Sequence, residues 1–309
     1  MRRFLPVLGL LFLAPLVGEF LLGNLSVRVL PALPFLVPLY GGGALLIREV
    51  ARRTGRGRPT ILLLGAAYGV IEAGLVDQSL FNPSFEGHDF QSITPIPALG
   101  LSAASTLSFV AGHAIWSISV PIALVERGRT APWLGWKGLT LAALLYLFGC
   151  WIIFGDLRDS EGFLATPAQR IGAATAALLL IAVAYLPNIA TKRYKAPSPT
   201  KTGVIAFAAS SVFFARPESW PGFWFGLAWL AAAAVWLART RWTDRHILAI
   251  AAGTLLTYAW GGFALTALME PHDPVRWWGN AAFAAGAIAL ITVTRTTSPE
   301  PASAETPTG

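Results

Sequence analysis

Residues 60–76 read TILLLGAAYGVIEAGLV, preceded by Gly55-Arg56-Gly57-Arg58-Pro59 and followed by Asp77. As a helix this stretch rises about 26 Å at 1.5 Å per residue, close to the ~30 Å hydrocarbon core of a bilayer. Its one charge, Glu72, lies well inside it, and arginines and a proline mark where it begins. A segment of this kind is expected to cross a membrane, because lipid offers no partner to unpaired backbone groups and helices satisfy their own. The rest of the 309-residue chain agrees, with 55% hydrophobic and 13% charged residues and a mean hydropathy of +0.59. A soluble domain carries about 25% charged residues, so a water-solvated surface is excluded. The lone Cys150 excludes an intrachain disulfide and a cysteine metal cluster.

Nine further apolar stretches surround this one: Phe4–Leu22, Leu30–Ile47, Ala104–Val125, Leu139–Phe154, Ile171–Pro187, Gly203–Phe214, Phe223–Leu237, Ile247–Leu268 and Trp277–Val293. The expected fold is an all-α, polytopic transmembrane helical bundle of about ten spans, with residues 1–293 as one helical domain. Residues 294–309, rich in proline and poor in apolar residues, are expected to form a disordered cytoplasmic tail. The seventh stretch is the shortest and rises only about 18 Å. It either borrows flanking residues, with Arg216 snorkelling outward, or is re-entrant, and losing it together with the eighth leaves eight spans. The first stretch follows Arg2-Arg3 as a secretory signal would, but no clean small-x-small cleavage site follows, so it is read as an uncleaved helix.

The basic residues test this parse independently. With the N-terminus inside, 18 of the 23 lysines and arginines fall in alternate connections on the cytoplasmic side, among them Arg48, Arg52, Arg53, Arg56 and Arg58. The other five (Arg28, Arg158, Arg170, Arg216 and Arg276) fall on the outer side, which carries nine acids. This is the bias of retained loops, and it places both termini in the cytoplasm. The basic turns are therefore read as topology determinants beside an anionic leaflet rather than a nucleic-acid surface, since no aromatics are interleaved at 52–58. Trp133, Trp136, Trp242, Trp277 and Trp278 lie at the expected interfaces as anchoring belts. Arginine outnumbers lysine 19 to 4, a composition that suggests a bacterial plasma membrane.

Ionisable groups inside spans are costly and mark candidate sites. Three are evident: Glu19, Glu72 and His113. Glu72 stands about 18 Å above the cytoplasmic boundary of its span, and His113, on the next and antiparallel span, about 17 Å above it. Depth-matched on neighbouring helices, they are expected to meet, because a buried carboxylate is tolerable beside an imidazolium or hydrogen-bond donor. Tyr68 and Ser117 lie one turn from them, Tyr258 sits at similar depth, and Asp77 closes the Glu72 span. The readings left open are a structural polar clamp, a catalytic or proton-handling site, and a solute or ion site. Gly41-Gly42-Gly43, after Pro31, Pro34 and Pro38, is read as a kink with close helix packing rather than a phosphate loop.

The segments Glu72-Ala73-Gly74-Leu75-Val76-Asp77 and Phe109-Val110-Ala111-Gly112-His113 resemble two motifs of the CAAX-processing and bacteriocin-processing intramembrane protease family. The resemblance implies intramembrane peptide hydrolysis, with Glu72 as the general base that activates water and His113 assisting or stabilising the oxyanion. Ala73 stands where the family has a second glutamate, Asp77 where it has arginine, and its third motif has no counterpart after residue 113. The overall pattern also resembles uncharacterised actinobacterial integral membrane proteins. Cofactor and metal requirement stay unknown, Glu72 and His113 being only two of the three or four ligands that zinc needs. The expected partners are the lipid bilayer and a membrane peptide or small solute. The alternatives to hydrolysis are a proton-coupled or small-solute transporter, which Gly41–Gly43 and five-plus-five halves would suit, and a non-catalytic scaffold.

Overall fold

Each apolar stretch forms a helix in the computed structural model, which describes residues 4–187 and 193–296. The ten helical segments are α1 (Leu5–Leu21), α2 (Val27–Arg53), α3 (Arg58–Val76), α4 (Ala103–Glu126) and α5 (Trp136–Glu161). They continue with α6 (Pro167–Ala184), α7 (Pro199–Phe214), α8 (Trp220–Arg239), α9 (Asp244–Met269) and α10 (Pro274–Thr296). Eight are long and apolar enough to cross a bilayer, and α1 is a shorter apolar helix. Local chemistry sets the starts. Ser102, Thr166, Ser198 and Ser219 accept a backbone N–H three residues on, and prolines stand in the first turns of α3, α6, α7 and α8, where their missing N–H costs nothing. Four two-residue strands form small pairs: β1 (Pro95–Ile96) antiparallel with β2 (Leu101–Ser102), and β3 (Tyr194–Lys195) parallel with β4 (Thr240–Arg241).

Contacts between connections sort them onto two ends. At one end Arg56 donates to the carbonyls of Tyr185 and Leu186, Arg58 pairs with Asp244 at 2.8 Å, and β3 joins β4. At the other, Arg28 pairs with Asp273, Asn82 donates to Glu161, and Gln169 donates to the Leu99 carbonyl. This is the division inferred from basic residues, so the chain has a basic end and an acidic end. Arg2, Arg3 and Lys192 lie outside the described residues. Thr294–Thr296 still belong to α10 rather than to the tail, and the remainder of the tail lies outside the described residues.

Two expectations change. The seventh segment does borrow flanking residues, starting at Pro199 as a 16-residue helix rising about 24 Å, but Arg216 does not snorkel outward: its guanidinium turns back to Ser108 Oγ at 2.6 Å and the Phe213 carbonyl at 2.8 Å. The arginines after Ile47 are not loop charges. α2 continues to Arg53, and Arg48 and Glu49 are fully buried. Arg48 donates to Glu126 at 3.0 Å, pairs with Glu49, and lies 3.6 Å over the Trp133 ring, while Arg52 grips both oxygens of Glu126 at 2.7 and 2.6 Å. Glu49 also accepts the backbone N–H groups of Trp133 and Leu134. The charges repeat at helical spacing, 48 with 52 and 49 with 53, so two adjacent helix faces can fasten the α4–α5 connection.

The bundle has an inner and an outer set of helices. α5, α6 and α8 expose Leu141, Trp151, Ile171, Leu178 and Trp224, as lipid-facing helices do, whereas α3 and α9 are the most enclosed. The expected irregularity of α2 is present: it opens as a tight three-residue-per-turn helix at Val27–Ala32 and widens to a π turn at Val37–Gly41. The glycines after it permit contact. A Cβ on Gly41 would stand 2.2 Å from the Leu11 carbonyl oxygen, and one on Gly43 2.6 Å from the Tyr68 ring.

Candidate functional site

Four helices widen into π turns among the described residues, and each widened stretch holds one member of a single polar string. Leu16–Leu21 contains Glu19, Val37–Gly41 contains Tyr40, Glu72–Val76 begins at Glu72, and His113–Ser119 begins at His113 and includes Ser117. π turns are rare in proteins, well under 1% of residues, and gather at functional positions. Each inserts one residue into the helical repeat and so re-aims the side chains around it.

The string starts near the acidic end. Exposed Asn24 donates to Glu19 Oε2 at 3.3 Å. The Tyr40 hydroxyl lies 2.7 Å from Glu19 Oε1 and 2.8 Å from Glu72 Oε1. Glu72 Oε2 lies 2.7 Å from His113 Nε2, and His113 Nδ1 lies 3.2 Å from Ser117 Oγ. Tyr40, Glu72 and Ser117 are buried, whereas Glu19 is half-buried. Close packing holds them: a Cβ on Gly18 would meet Ser117 Oγ at 2.7 Å, and one on Gly69 would stand 3.1 Å from His113 Cβ.

Hydrogen-bond counting constrains the protons. A phenol has one O–H and donates once, and an ionised carboxylate only accepts. With carboxyl oxygens of both Glu19 and Glu72 in contact with the Tyr40 oxygen, Tyr40 can donate to only one of them at a time. Both contacts are hydrogen bonds at once when one of the two carboxyls carries a proton and donates it to Tyr40, an arrangement in which the three groups share that proton's placement. Glu72 passes the effect onward, because its second oxygen faces His113.

The structure thus brings Glu72 and His113 into direct contact, with Glu19 and Ser117 in the same string. Tyr68 forms a wall, its ring centroid 5.8 Å from that of His113 and 6.1 Å from that of Tyr40. Its buried hydroxyl has no hydrogen-bond partner among the described residues. Two expected neighbours do not join. Asp77 turns to the backbone N–H of Ser79 at 2.9 Å, and Tyr258 stacks on Trp116 with centroids 4.4 Å apart. Reading by sequence missed Tyr40, the link between the two acids. Among the described residues no three His, Cys, Asp or Glu side chains gather as metal ligands would.

A family model described as an uncharacterized membrane protein family matches residues 8–305. No curated protein and no solved structure matches the chain.

Proposed function

We propose, from the premise that the chain belongs to this uncharacterized membrane protein family, that it is a proton-handling membrane carrier whose string from Glu19 to Ser117 takes up and passes protons. The observation that supports this most is the Tyr40 hydroxyl held between two carboxyl groups. Moving the shared proton from one carboxyl to the other needs only a reversal of the phenol's donation, with no displacement of heavy atoms. Glu19, beside exposed Asn24, is the group that exchanges protons with water at the acidic end. Glu72 and His113 form the inner station, where an arriving proton is held between the carboxyl and the imidazole. A solute whose passage alters the helix packing around this station would then be coupled to protons.

Intramembrane peptide hydrolysis is the second reading, favoured by the 2.7 Å contact of Glu72 with His113. It needs a water within about 2.6–3.2 Å of a Glu72 oxygen, and both oxygens already face protein partners. A non-catalytic scaffold would use the same contacts merely to fix helix register. In each reading the chain works in a bacterial plasma membrane with its basic end toward the cytoplasm.

The test is the full chain in proteoliposomes with a trapped pH-sensitive dye and an imposed pH gradient. Wild type dissipates the gradient faster than empty vesicles, and Glu72→Gln or His113→Ala abolishes the difference. Equal proton flux in Glu72→Gln and wild type rejects the proposal. Loss of membrane-peptide cleavage in the same variants would support hydrolysis instead.

A further inference from the structure

At the basic end, far from this string, a groove of about 630 Å³ opens on the outer face of α8 beneath β3 and β4. Its floor is Ala231, Ala232 and Val235, exposed small or apolar side chains, and Trp236 forms a wall. Exposed Lys195 and Arg239 also line it, Arg239 at the last position of α8 and so at the end we call its mouth, and the β3–β4 register sets Arg241 beside Lys195. From Ala231 to Arg239 the helix rises about 12 Å, so the groove runs from the headgroup level into the upper hydrocarbon. Trp236 stacks edge-on against Trp242 at 4.7 Å, and the Trp242 indole N–H donates to the Leu237 carbonyl at 2.8 Å. Tryptophan at this depth marks a membrane interface.

The mouth cations are unspent. Arg48, Arg52 and Arg58 at the same end are paired with acids, whereas among the described residues neither Lys195 nor Arg239 has an acidic or carbonyl partner. A groove with an apolar floor and unpaired cations at headgroup height matches a molecule with a negative head and an apolar tail. We infer that this groove binds the headgroup and upper acyl chain of an anionic phospholipid of the leaflet at the basic end. A second copy of the chain fits less well. Copies share one orientation in a membrane, so a two-fold axis would run along its normal and bring both basic mouths together at one depth. Basic pockets at this level are favourable for anionic lipid, each cation contributing through the negative surface potential.

The full chain is taken from nanodiscs of phosphatidylcholine containing phosphatidylglycerol, and retained lipid is read by native mass spectrometry. Wild type should retain one phosphatidylglycerol in preference to phosphatidylcholine. Lys195→Gln with Arg239→Gln should weaken that retention about thirty-fold. Ala232→Trp, which fills the floor and leaves both charges, should also displace the lipid, and Lys137→Gln with Arg245→Gln, exposed cations of the same end, should not. Undiminished retention in the first two variants overturns the inference, as does equal loss in the third. Displacement by inorganic phosphate would assign the mouth to a free anion, and efficient Ala232→Cys cross-linking between copies would assign the groove to a second chain; either result also overturns it.

Discussion

Replacing Tyr40 with phenylalanine isolates the bridging oxygen. The ring contacts of Tyr40 with Tyr68 and His113, at 6.1 and 5.9 Å between centroids, survive in the variant, so packing is nearly conserved. The loss is confined to one oxygen that serves two carboxyls. Hydrogen bonds to charged groups contribute about 1.5–3 kcal/mol each, but the two losses are not equal. Glu19 is half-buried and keeps Asn24, so water can replace its lost partner. Glu72 is 4% exposed and keeps only His113. The expected cost is therefore about 1.5–3 kcal/mol, that of one orphaned buried acceptor, rather than twice that. Thermal melting in detergent should move down by several degrees, while Tyr194→Phe, at an exposed position, should melt with wild type. Infrared spectroscopy supplies the sharper readout. Wild type at neutral pH should carry the carbonyl band of one protonated carboxylic acid, shifting on deuterium exchange, and Tyr40→Phe should lose or displace it. A wild type without that band would refute the proton count. A Tyr40→Phe variant with unchanged band and melting would refute the bridge.

Replacing Arg48 with alanine leaves buried Glu126 to Arg52 alone and buried Glu49 to the longer 3.7 Å contact with Arg53, a loss bounded by the about 3–5 kcal/mol of a buried pair broken outright. Expression and melting temperature should fall steeply, and Arg48→Met with Glu126→Gln should recover part of the loss. Gly41→Ala puts a methyl 2.2 Å from the Leu11 carbonyl oxygen and should prevent normal assembly of α1 on α2, measured by size-exclusion profile. Gly155→Ala in α5, with nothing within 4 Å, should be neutral or stabilising by about 0.5–1 kcal/mol. In the 77–102 connection, burial and then the nearby Glu161 carboxylate push Glu86 above the ordinary carboxylate range, with His88 and Arg276 opposing. Its protonated form is thus the better fit to the fold: the penalty is full above its folded pKa and vanishes as pH falls toward the unfolded value. Amide-exchange protection of this connection should rise on acidification, and Glu86→Gln should remove the dependence.

The spans are legible in the sequence because hydrocarbon tests every residue of a crossing, and stretches such as 60–76 have no alternative environment. The meeting of Glu72 with His113 is legible from helical rise alone, since two ionisable groups at one depth on consecutive helices have few other partners. The arginines after Ile47 mislead for a definable reason. Apolar character stops at Ile47 as it would at the end of a helix, but α2 runs on through Arg48 and Arg52 and supplies them with Glu126. Hydropathy records where lipid stops, whereas a helix ends where its backbone finds other partners.

Tyr40 is hidden by another effect. A tyrosine in a proline- and glycine-rich stretch resembles an ordinary interfacial anchor, and counting 3.6 residues per turn along 31–47 does not aim it at either acid. The π turn at Val37–Gly41 adds a residue to the repeat and rotates the rest of α2 by about 100° relative to a regular helix. Glu19, Glu72 and His113 sit in widened turns of their own, so the string depends on four departures from regular helix converging on one point. A single π turn can be a packing accident of a bulky neighbour. Four, each holding a member of one string of polar contacts, are better explained if the string's geometry fixes the helices. The irregular turns should then depend on the polar contacts, and Glu72→Leu should shift the backbone amides of α1 and α2 toward regular-helix exchange behaviour. If those amides keep their wild-type exchange pattern, the π turns are set by packing alone and owe nothing to the proton-sharing contact.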